Sequence, residues 1–389
     1  MRILCLDGGS SSLKFALYDM DAPAGSAHAL LLSGAAEGFK QQSARFWLRS
    51  RESRRRVDES NDDRGQWDAT AAFVRLEAAL SDLGQRPDAT GHRIVFGGAD
   101  HVSPTVATPE VLGQLERLAP IDPLHLTAEI AVARMALELF PDAPAVLCFD
   151  TAFHQRMPAI AKRLPLPRDL GSELQRYGFH GLSYEYVVEA LGDAALGNVV
   201  IAHLGNGASM CAVRSGQPVD TTMGFSPLGG LMMGTRPGDL DPGTLLYLLT
   251  AKGYEAEQLS QLLNERSGLL GMSGSTADME ALLKRSAQDS AAADAVSLFV
   301  YQACKHAAAM ACVLGGLDTL VFTGGMGERA PLVRSGICQG LAHLGVRLDD
   351  ALNAVNASAI NAQGSSVSVR VIPTDENLMI ARHTQALLG

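Results

Sequence analysis

Ile3-Leu4-Cys5-Leu6-Asp7-Gly8-Gly9-Ser10-Ser11-Ser12-Leu13-Lys14-Phe15-Ala16-Leu17-Tyr18 reads as one β-hairpin. Ile3–Leu6 is a short apolar strand, Gly8–Ser12 a tight turn of small residues, and Leu13–Tyr18 the returning strand. A second segment has the same form: Val199–His203 as strand, Gly205-Asn206-Gly207-Ala208-Ser209 as turn, Met210–Arg214 as strand. Aligned on their glycines, the two read L-D-G-G-S-S-S-L and H-L-G-N-G-A-S-M. A separation of roughly 200 residues is too long for a solenoid repeat. It points to two lobes with related cores, each offering a glycine-tipped hairpin to a shared cleft. Two unrelated Gly-rich turns are the alternative.

Outward from the hairpins, helices and strands alternate. Helical spacing covers Ala69–Leu83, and a strand is expected at His92–Phe96. A helix over Ala128–Phe140 and a strand Ala145–Phe149 ending at Asp150 follow. In the second half, Ala291–Leu314 is a helix stopped by Gly315-Gly316. Asp318–Thr323 is a strand, Gly324-Gly325-Met326-Gly327 a flexible loop, Val367–Ile372 a last strand, and a terminal helix ends the chain. This alternation is an α/β pattern. The 389 residues exceed what one core usually holds, so two domains are expected. They are placed at 1–149 and 150–376, with the helix at about 377–389 packing back on the first lobe.

A formal charge of −10 argues against a nucleic-acid-binding face. The apolar run after Met1 is short for a signal peptide, and no apolar stretch of membrane length is free of charge. The six cysteines form no C-x-x-C and no His/Cys cluster, which suits buried free thiols in a reducing cytoplasm. The arginine-rich segment Arg45–Arg56 is followed by Asp58, Glu59, Asp62 and Asp63, so it reads as a solvated hairpin rather than an anion site.

Three Gly-rich segments follow strands: Gly8–Ser12, Gly205–Gly207 and Gly324–Gly327. Glycines there let backbone N–H groups approach phosphates, with hydroxyls and Lys14 adding donors and charge. The first is not a Walker loop, and each taken singly is also an ordinary turn. Arg93 and Arg236 offer planar forks that match carboxylate and phosphate oxygens. Asp150 ends an apolar strand, at a cleft or as a cap for the next turn. His180 is a site histidine or a core one.

These motifs occur together and in order: Gly-Ser-Ser-Ser-Leu-Lys at 9–14, Gly-His-Arg at 91–93, Phe-Asp-Thr-Ala-Phe-His at 149–154, Tyr-Gly-Phe-His-Gly at 177–181, His-Leu-Gly-Asn-Gly-Ala-Ser at 203–209 and Gly-Leu-Met-Met-Gly-Thr-Arg at 230–236. From Ile3 to the C-terminus the chain resembles the acetate kinase family, within the superfamily of acetate and sugar kinases, heat-shock ATPases and actin. The resemblance implies a two-lobed, duplicated ribonuclease H-like fold with a central cleft. It implies reversible, in-line, Mg²⁺-assisted transfer of phosphate from ATP to acetate or propionate, with Mn²⁺ as a substitute metal.

Residue by residue, Arg93 would hold the substrate carboxylate, and Arg236 and His180 would stabilise the moving phosphoryl. Asp150 would organise the metal or position the reactants, with Asp7 and Glu376 as acidic metal positions. Ser10, Ser12, Lys14 and the loop His203, Leu204, Gly205, Asn206, Gly207 would contact the ATP phosphates. Adenosine would lie against Asp278, Met279, Glu280 and Gly325, Met326, Gly327, Glu328, Arg329. Val95, Leu124, Phe179 and Pro227 would form the alkyl pocket. The expected partners are a short-chain carboxylate, ATP or ADP, and a second copy of the chain, with no nucleic acid and no membrane.

Several family residues are replaced: Asp7 stands for Asn, Phe96 for His, Leu126-Thr127 for Asn-Pro, Leu182 and Tyr184 for Thr and His, Gly229 for Glu, Glu280 for Arg and Arg329 for Asn. The more apolar Phe96 and Leu126-Thr127 hint at propionate or a longer acid over acetate. Competing readings are a nucleotide-binding paralogue without turnover, a kinase for butyrate, and one using another phosphoryl donor.

Overall fold

The computed structural model describes residues 1–9, 12–22, 30–39, 44–51, 56–60, 67–122 and 125–389. The chain divides into two compact units, Met1–Ala152 with Asp375–Gly389, and Phe153–Thr374. Asp150 and Glu376, both placed in the second lobe from sequence, therefore belong to the first unit. The reason is local pairing. The Asp150 N–H donates to the Ile94 carbonyl, and the Asp375 carboxylate accepts from the Tyr18 hydroxyl at 3.0 Å.

The first unit is built on β1 (Arg2–Gly9), β2 (Ser12–Asp19), β3 (Leu30–Glu37), β4 (Arg45–Ser50), β5 (Arg56–Ser60), β6 (Ala89–Ile94), β7 (Thr105–Val106) and β8 (Ala145–Phe149). Their order is β5-β4-β3-β2-β1-β6-β8-β7, with β1 antiparallel to β2 and parallel to β6. Leu4 and Leu6 of β1 pack with Phe15, Phe73, Leu76 and Val132 in one core. Helix Glu376–Leu388 packs on β1, β6 and β8. With both faces covered, the central strands are near-continuous apolar runs. Gly91 marks the closeness of that packing, since a Cβ there would lie 2.5 Å from both Ile380 Cγ2 and Thr384 Oγ1.

The first hairpin is longer than the sequence indicated. Gly8 pairs with Leu13 and Gly9 with Ser12, so these residues of the expected turn are strand, and 10 and 11 lie outside the described residues. The strand expected at His92–Phe96 instead runs Ala89–Ile94. Its two neighbours set that register, β1 up to His92 and β8 up to Ile94. The arginine-rich segment is the antiparallel pair β4–β5, where Arg45 meets Glu37 at 3.4 Å and Arg56 meets Asp58 at 3.7 Å. Arg54, Arg55, Asp62 and Asp63 lie outside the described residues.

The second unit holds β9 (Asn198–Leu204), β10 (Ala208–Arg214), β11 (Gln217–Thr221), β12 (Thr319–Thr323) and β13 (Ser368–Val371), ordered β11-β10-β9-β12-β13. β9 is antiparallel to β10 and parallel to β12, and β12 is parallel to β13. This repeats β3-β2-β1-β6-β8 strand for strand and sense for sense. The fold is a duplicated α/β, ribonuclease H-like one, as in actin-like ATPases.

Helix Ser290–Leu314 begins at Asp289, whose side chain accepts from the Ala292 N–H, and ends at Gly315 with φ 73°. By length and composition it is apolar enough to cross a membrane, although Asp294 and Lys305 lie within it. Ala292, Ala295, Phe299, Ala303 and Ala307 form its buried stripe, and the helix packs on β9 and β10. The segment expected as a flexible loop, Gly324–Gly327, is helical over Gly324–Arg329. Gly324 at φ 75° turns the chain straight out of β12, in a place where a Cβ would stand 3.0 Å from the Leu204 backbone. No loop is left between strand and helix.

Candidate active site

In the first unit the chemistry gathers on Arg93, near the end of β6. Its Nη1 donates to Asp7 Oδ1 at 3.1 Å and its Nη2 to Asp150 Oδ2 at 2.5 Å, while Nε stands 3.6 Å from Glu376 Oε2. Arg93 is 16 % exposed and Asp150 fully buried. Lys14 Nζ, directly across the hairpin from Asp7, lies 3.8 Å from Asp7 Oδ2. Strand alternation sends neighbouring His92 to the opposite face, where it is buried against Thr90 Oγ1 at 3.0 Å. Burial alone pushes its pKa down to about 3.

Charge in this cluster is decided by competition between burial and neighbours. For Asp7 burial is the largest influence and opposes ionisation, but Arg93 and Lys14 together outweigh it and hold the carboxyl below its ordinary range. For Asp150 burial prevails over Arg93, and Glu376 adds to it, so its pKa rises to about 6. Arg93 stays charged because Asp150, Asp7 and Glu376 together overcome its burial. Asp150 does not cap a turn: Oδ2 takes the guanidinium and buried Oδ1 has no partner.

Glu129 joins this group and was not singled out from the sequence. It is buried on helix Leu126–Leu139, where Oε2 accepts from the Val95 N–H at 2.8 Å and Oε1 has no partner. Burial drives its pKa well above the usual carboxylate range, against the pull of Arg93. The signal was available, because Glu129 falls on the same helical face as Leu126, Ala133 and Ala136. A carboxylate on an apolar stripe needs a partner.

In the second unit His180 takes a left-handed conformation (φ 58°) just before helix Gly181–Leu191. For a residue other than Gly this costs on the order of 1 kcal/mol or more, so the surroundings must hold it. They do: His180 Nδ1 meets Ser209 Oγ at 2.8 Å, the Tyr184 hydroxyl bonds the same oxygen, and the His203 ring stacks on His180 at 4.2 Å. His203 Nδ1 is fixed in turn by Ser183 Oγ at 2.8 Å. A Cβ on Gly207 would lie 3.0 Å from Arg236 Nη2 and 3.2 Å from His180 Nε2, so both side-chain tips close on this glycine. Arg236 Nη1 is braced by the Pro227 carbonyl at 2.9 Å. The Gly234 N–H donates to the Asn206 carbonyl, and Asn206 Oδ1 fills the space a Gly234 side chain would need.

The structure therefore brings together Asp7, Lys14, Arg93, Asp150 and Glu376 in one unit, and His180, His203, Asn206, Gly207 and Arg236 in the other. Ser10 and Leu124 lie outside the described residues. Of the proposed alkyl pocket, Val95 is buried in the first unit, and Phe179 and Pro227 are buried in the second. Phe96 and Leu126 are fully buried, and Leu126 packs with Ile94, Leu147 and Phe149. Their apolar character thus goes into core packing, which removes that support for a longer acid.

Around the expected adenosine site, Asp278 caps helix Met279–Arg285 and Met279 is buried. Glu280 is exposed and pairs with Lys284 at 2.5 Å. Arg329 folds over Gly325, its Nη2 2.9 Å from where a Cβ would stand. Glu328 Oε1 accepts from the Thr374 N–H at 3.3 Å, and the Gly327 carbonyl accepts from buried Arg334. A groove of about 760 Å³ lies elsewhere, lined within residues 159–175 by Ile160, Lys162, Leu166 and Arg168 among others.

A duplicated ribonuclease H-like core, with carboxylates on an arginine in one unit and an arginine and histidine at a glycine hairpin in the other, defines a phosphotransferase of the actin-like class. A family model described as the acetokinase family matches residues 2–382. The acetate kinase of Rhodopseudomonas palustris is 43 % identical, covering 99 % of this chain and 98 % of its own. That of Rhizobium meliloti is 41 % identical, covering 100 % and 98 %. Among solved structures, a propionate kinase from Francisella tularensis superposes with a TM-score of 0.91 at 34 % identity, covering 99 % of both chains. The Porphyromonas gingivalis acetate kinase gives 0.84 at 35 %, covering 100 % of both. The chain belongs to the acetokinase family, and is a phosphotransferase with a carboxyl group as acceptor.

Proposed function

We propose that this enzyme moves the terminal phosphoryl group of ATP reversibly onto acetate or propionate, with Mg²⁺ as its metal. The observation that carries the reading is the closing of Arg236 Nη2 and His180 Nε2 on Gly207, at the tip of the β9–β10 hairpin. A short acid is already ionised near neutral pH, so no strong base is needed. The barrier is the approach of one anion to another, and positioned cations lower it. Arg93 receives the carboxylate and Arg236 and His180 steady the phosphoryl oxygens. The backbone of the Gly205–Gly207 loop and Lys14 contact the ATP phosphates.

The metal is supported by its donor set. Mg²⁺ prefers oxygen, keeps several waters and uses one or two protein carboxylates. Among the described residues no group of three or more His, Cys, Asp or Glu is disposed to hold a metal ion, but Asp150 has a buried, uncommitted oxygen and Glu376 stands beside it on Arg93. When bound, the ion supplies charge neutralisation on the phosphates. Asp150 and Glu376 would hold it.

A homodimer in the cytoplasm completes the proposal. Helix Pro242–Thr250 has no buried residue although Leu246, Tyr247 and Leu249 are apolar, which suits a face covered by a second copy. The described cysteines are all free thiols, in keeping with a reducing compartment. The test is a hydroxamate assay of purified protein with ATP, Mg²⁺ and a panel of acetate, propionate and butyrate. Acyl phosphate from acetate or propionate is expected. ATP binding without any acyl phosphate would overturn the reading.

A further inference from the structure

Both outer nitrogens of Arg93 are already engaged. Nη1 donates to Asp7 and Nη2 to Asp150, while Nε, 3.6 Å from Glu376, makes no hydrogen bond. A planar guanidinium offers a carboxylate two parallel N–H groups, and here both outer nitrogens already meet protein carboxylates. The two aspartates differ in what else they touch. Both Asp7 oxygens face cations, Oδ1 on Arg93 at 3.1 Å and Oδ2 on Lys14 at 3.8 Å. Asp150 instead keeps one buried oxygen without a partner. Asp150 thus keeps an uncommitted oxygen for another cation, whereas each Asp7 oxygen already faces one.

We infer that Asp7 is an intramolecular competitor of the substrate carboxylate: it occupies Arg93 Nη1 and must be displaced for the acid to bind. This rests on the function proposed above and assigns Asp7 to Arg93 rather than to the metal. The competition is between like groups. Asp7 and the incoming acid are both carboxylates, and Asp7 is tethered by β1 directly beside its target, with a high effective concentration. Asp7 is only 19 % exposed, which shields the contact from solvent. Lys14 is the group that receives Asp7 when it is displaced. It lies opposite Asp7 in the hairpin and is 59 % exposed, free to follow the moving carboxylate. Asp7 is a positioning residue here, setting how readily Arg93 accepts an acid.

The test is Asp7→Asn, which keeps shape and removes charge, with Asp7→Ser as a second variant should the amide pack poorly. Propionate binding is measured by titration calorimetry in the presence of EDTA, and Mg²⁺ binding by a separate titration. Propionate is expected to bind on the order of tenfold tighter to the variants, because a charge-assisted contact no longer has to be broken. KM for propionate should fall likewise, with Mg²⁺ affinity unchanged. Unchanged or weaker propionate binding, or a tenfold loss of Mg²⁺ affinity, would overturn the assignment. Arg93→Ala separates the two levels. Propionate binding that survives in Arg93→Ala sinks the proposed role of Arg93 itself, whereas loss of binding there with no gain in Asp7→Asn sinks only the competitor.

Discussion

The two units share one strand order and differ in what their hairpins carry. On the glycine alignment, Asp7 of the first hairpin corresponds to Leu204 of the second, and Ser12 to Ser209. Asp7 faces Arg93 and Lys14, whereas Leu204 is fully buried. The first unit surrounds one guanidinium with carboxylates. The second packs imidazoles and a guanidinium around a bare glycine, with Ser183, Tyr184 and Ser209 holding the rings. The same backbone thus supports an acidic, cation-seeking surface and a donor-rich, anion-seeking one. Duplication supplied the geometry twice, and a few side chains gave each copy its charge.

Arg236→Ala should break the system most severely. If the second unit acts on the moving phosphoryl, kcat falls on the order of 10²–10⁵-fold with KM for the acid little changed, in steady-state assays of a folded variant. A loss confined to KM for the acid would erase the distinction between the units. Next in size is Gly234→Ala. Its methyl would enter the space of Asn206 Oδ1, 2.0 Å away, and push the hairpin tip out of place. A rise of roughly tenfold in KM for ATP is expected, since a misplaced positioning group can cost up to about a hundredfold. Unchanged nucleotide kinetics would show that Asn206 does not shape the site.

Each unit carries one buried histidine that resists protonation. His92 in the first and His154 in the second are buried, with pKa values pushed by burial down from 6.5 to about 3 and about 4. The unfolded chain takes up these protons first as pH drops. Their contribution to stability is therefore intact above pH 6.5 and lost as pH falls below it toward 4, by about 1.4 kcal/mol per histidine per pH unit. Asp150 and Glu129, whose pKa values are raised, act in the opposite sense as pH falls. The histidine effect is therefore read as a difference between variants: from pH 7 to pH 5 the urea midpoint of the wild type should drop relative to that of His154→Gln. The same pH dependence in both proteins would deny the neutral, buried state of the His154 ring. The smallest effect is Glu280→Ala, which loses only an exposed partner of Lys284 and should leave the melting temperature within error.

Legibility differed between fold and site. The hairpins were readable because apolar runs ending in Gly-rich turns have few other solutions, yet their length was not. Whether Gly8 and Gly9 are strand or turn depends on Leu13 and Ser12 across the ladder. Strand β6 shifted for the same reason, since β1 and β8 choose its register. Gly324–Gly327 reads as flexible by composition, but the close approach of Gly324 to Leu204, at a φ of 75°, shows why that glycine opens a helix.

The sequence by itself determined an α/β chain with two related hairpins, and through its ordered motifs the family and the residue types of the site. Those are local facts, carried by periodicity, glycines and charge type. The tertiary structure alone decided that Asp150 and Glu376 belong with Arg93, that Glu129 is buried beside them, and that Asp7 takes Nη1 of the guanidinium. Such facts depend on residues tens to hundreds of positions apart meeting in a dry place, where burial and pairing set each charge.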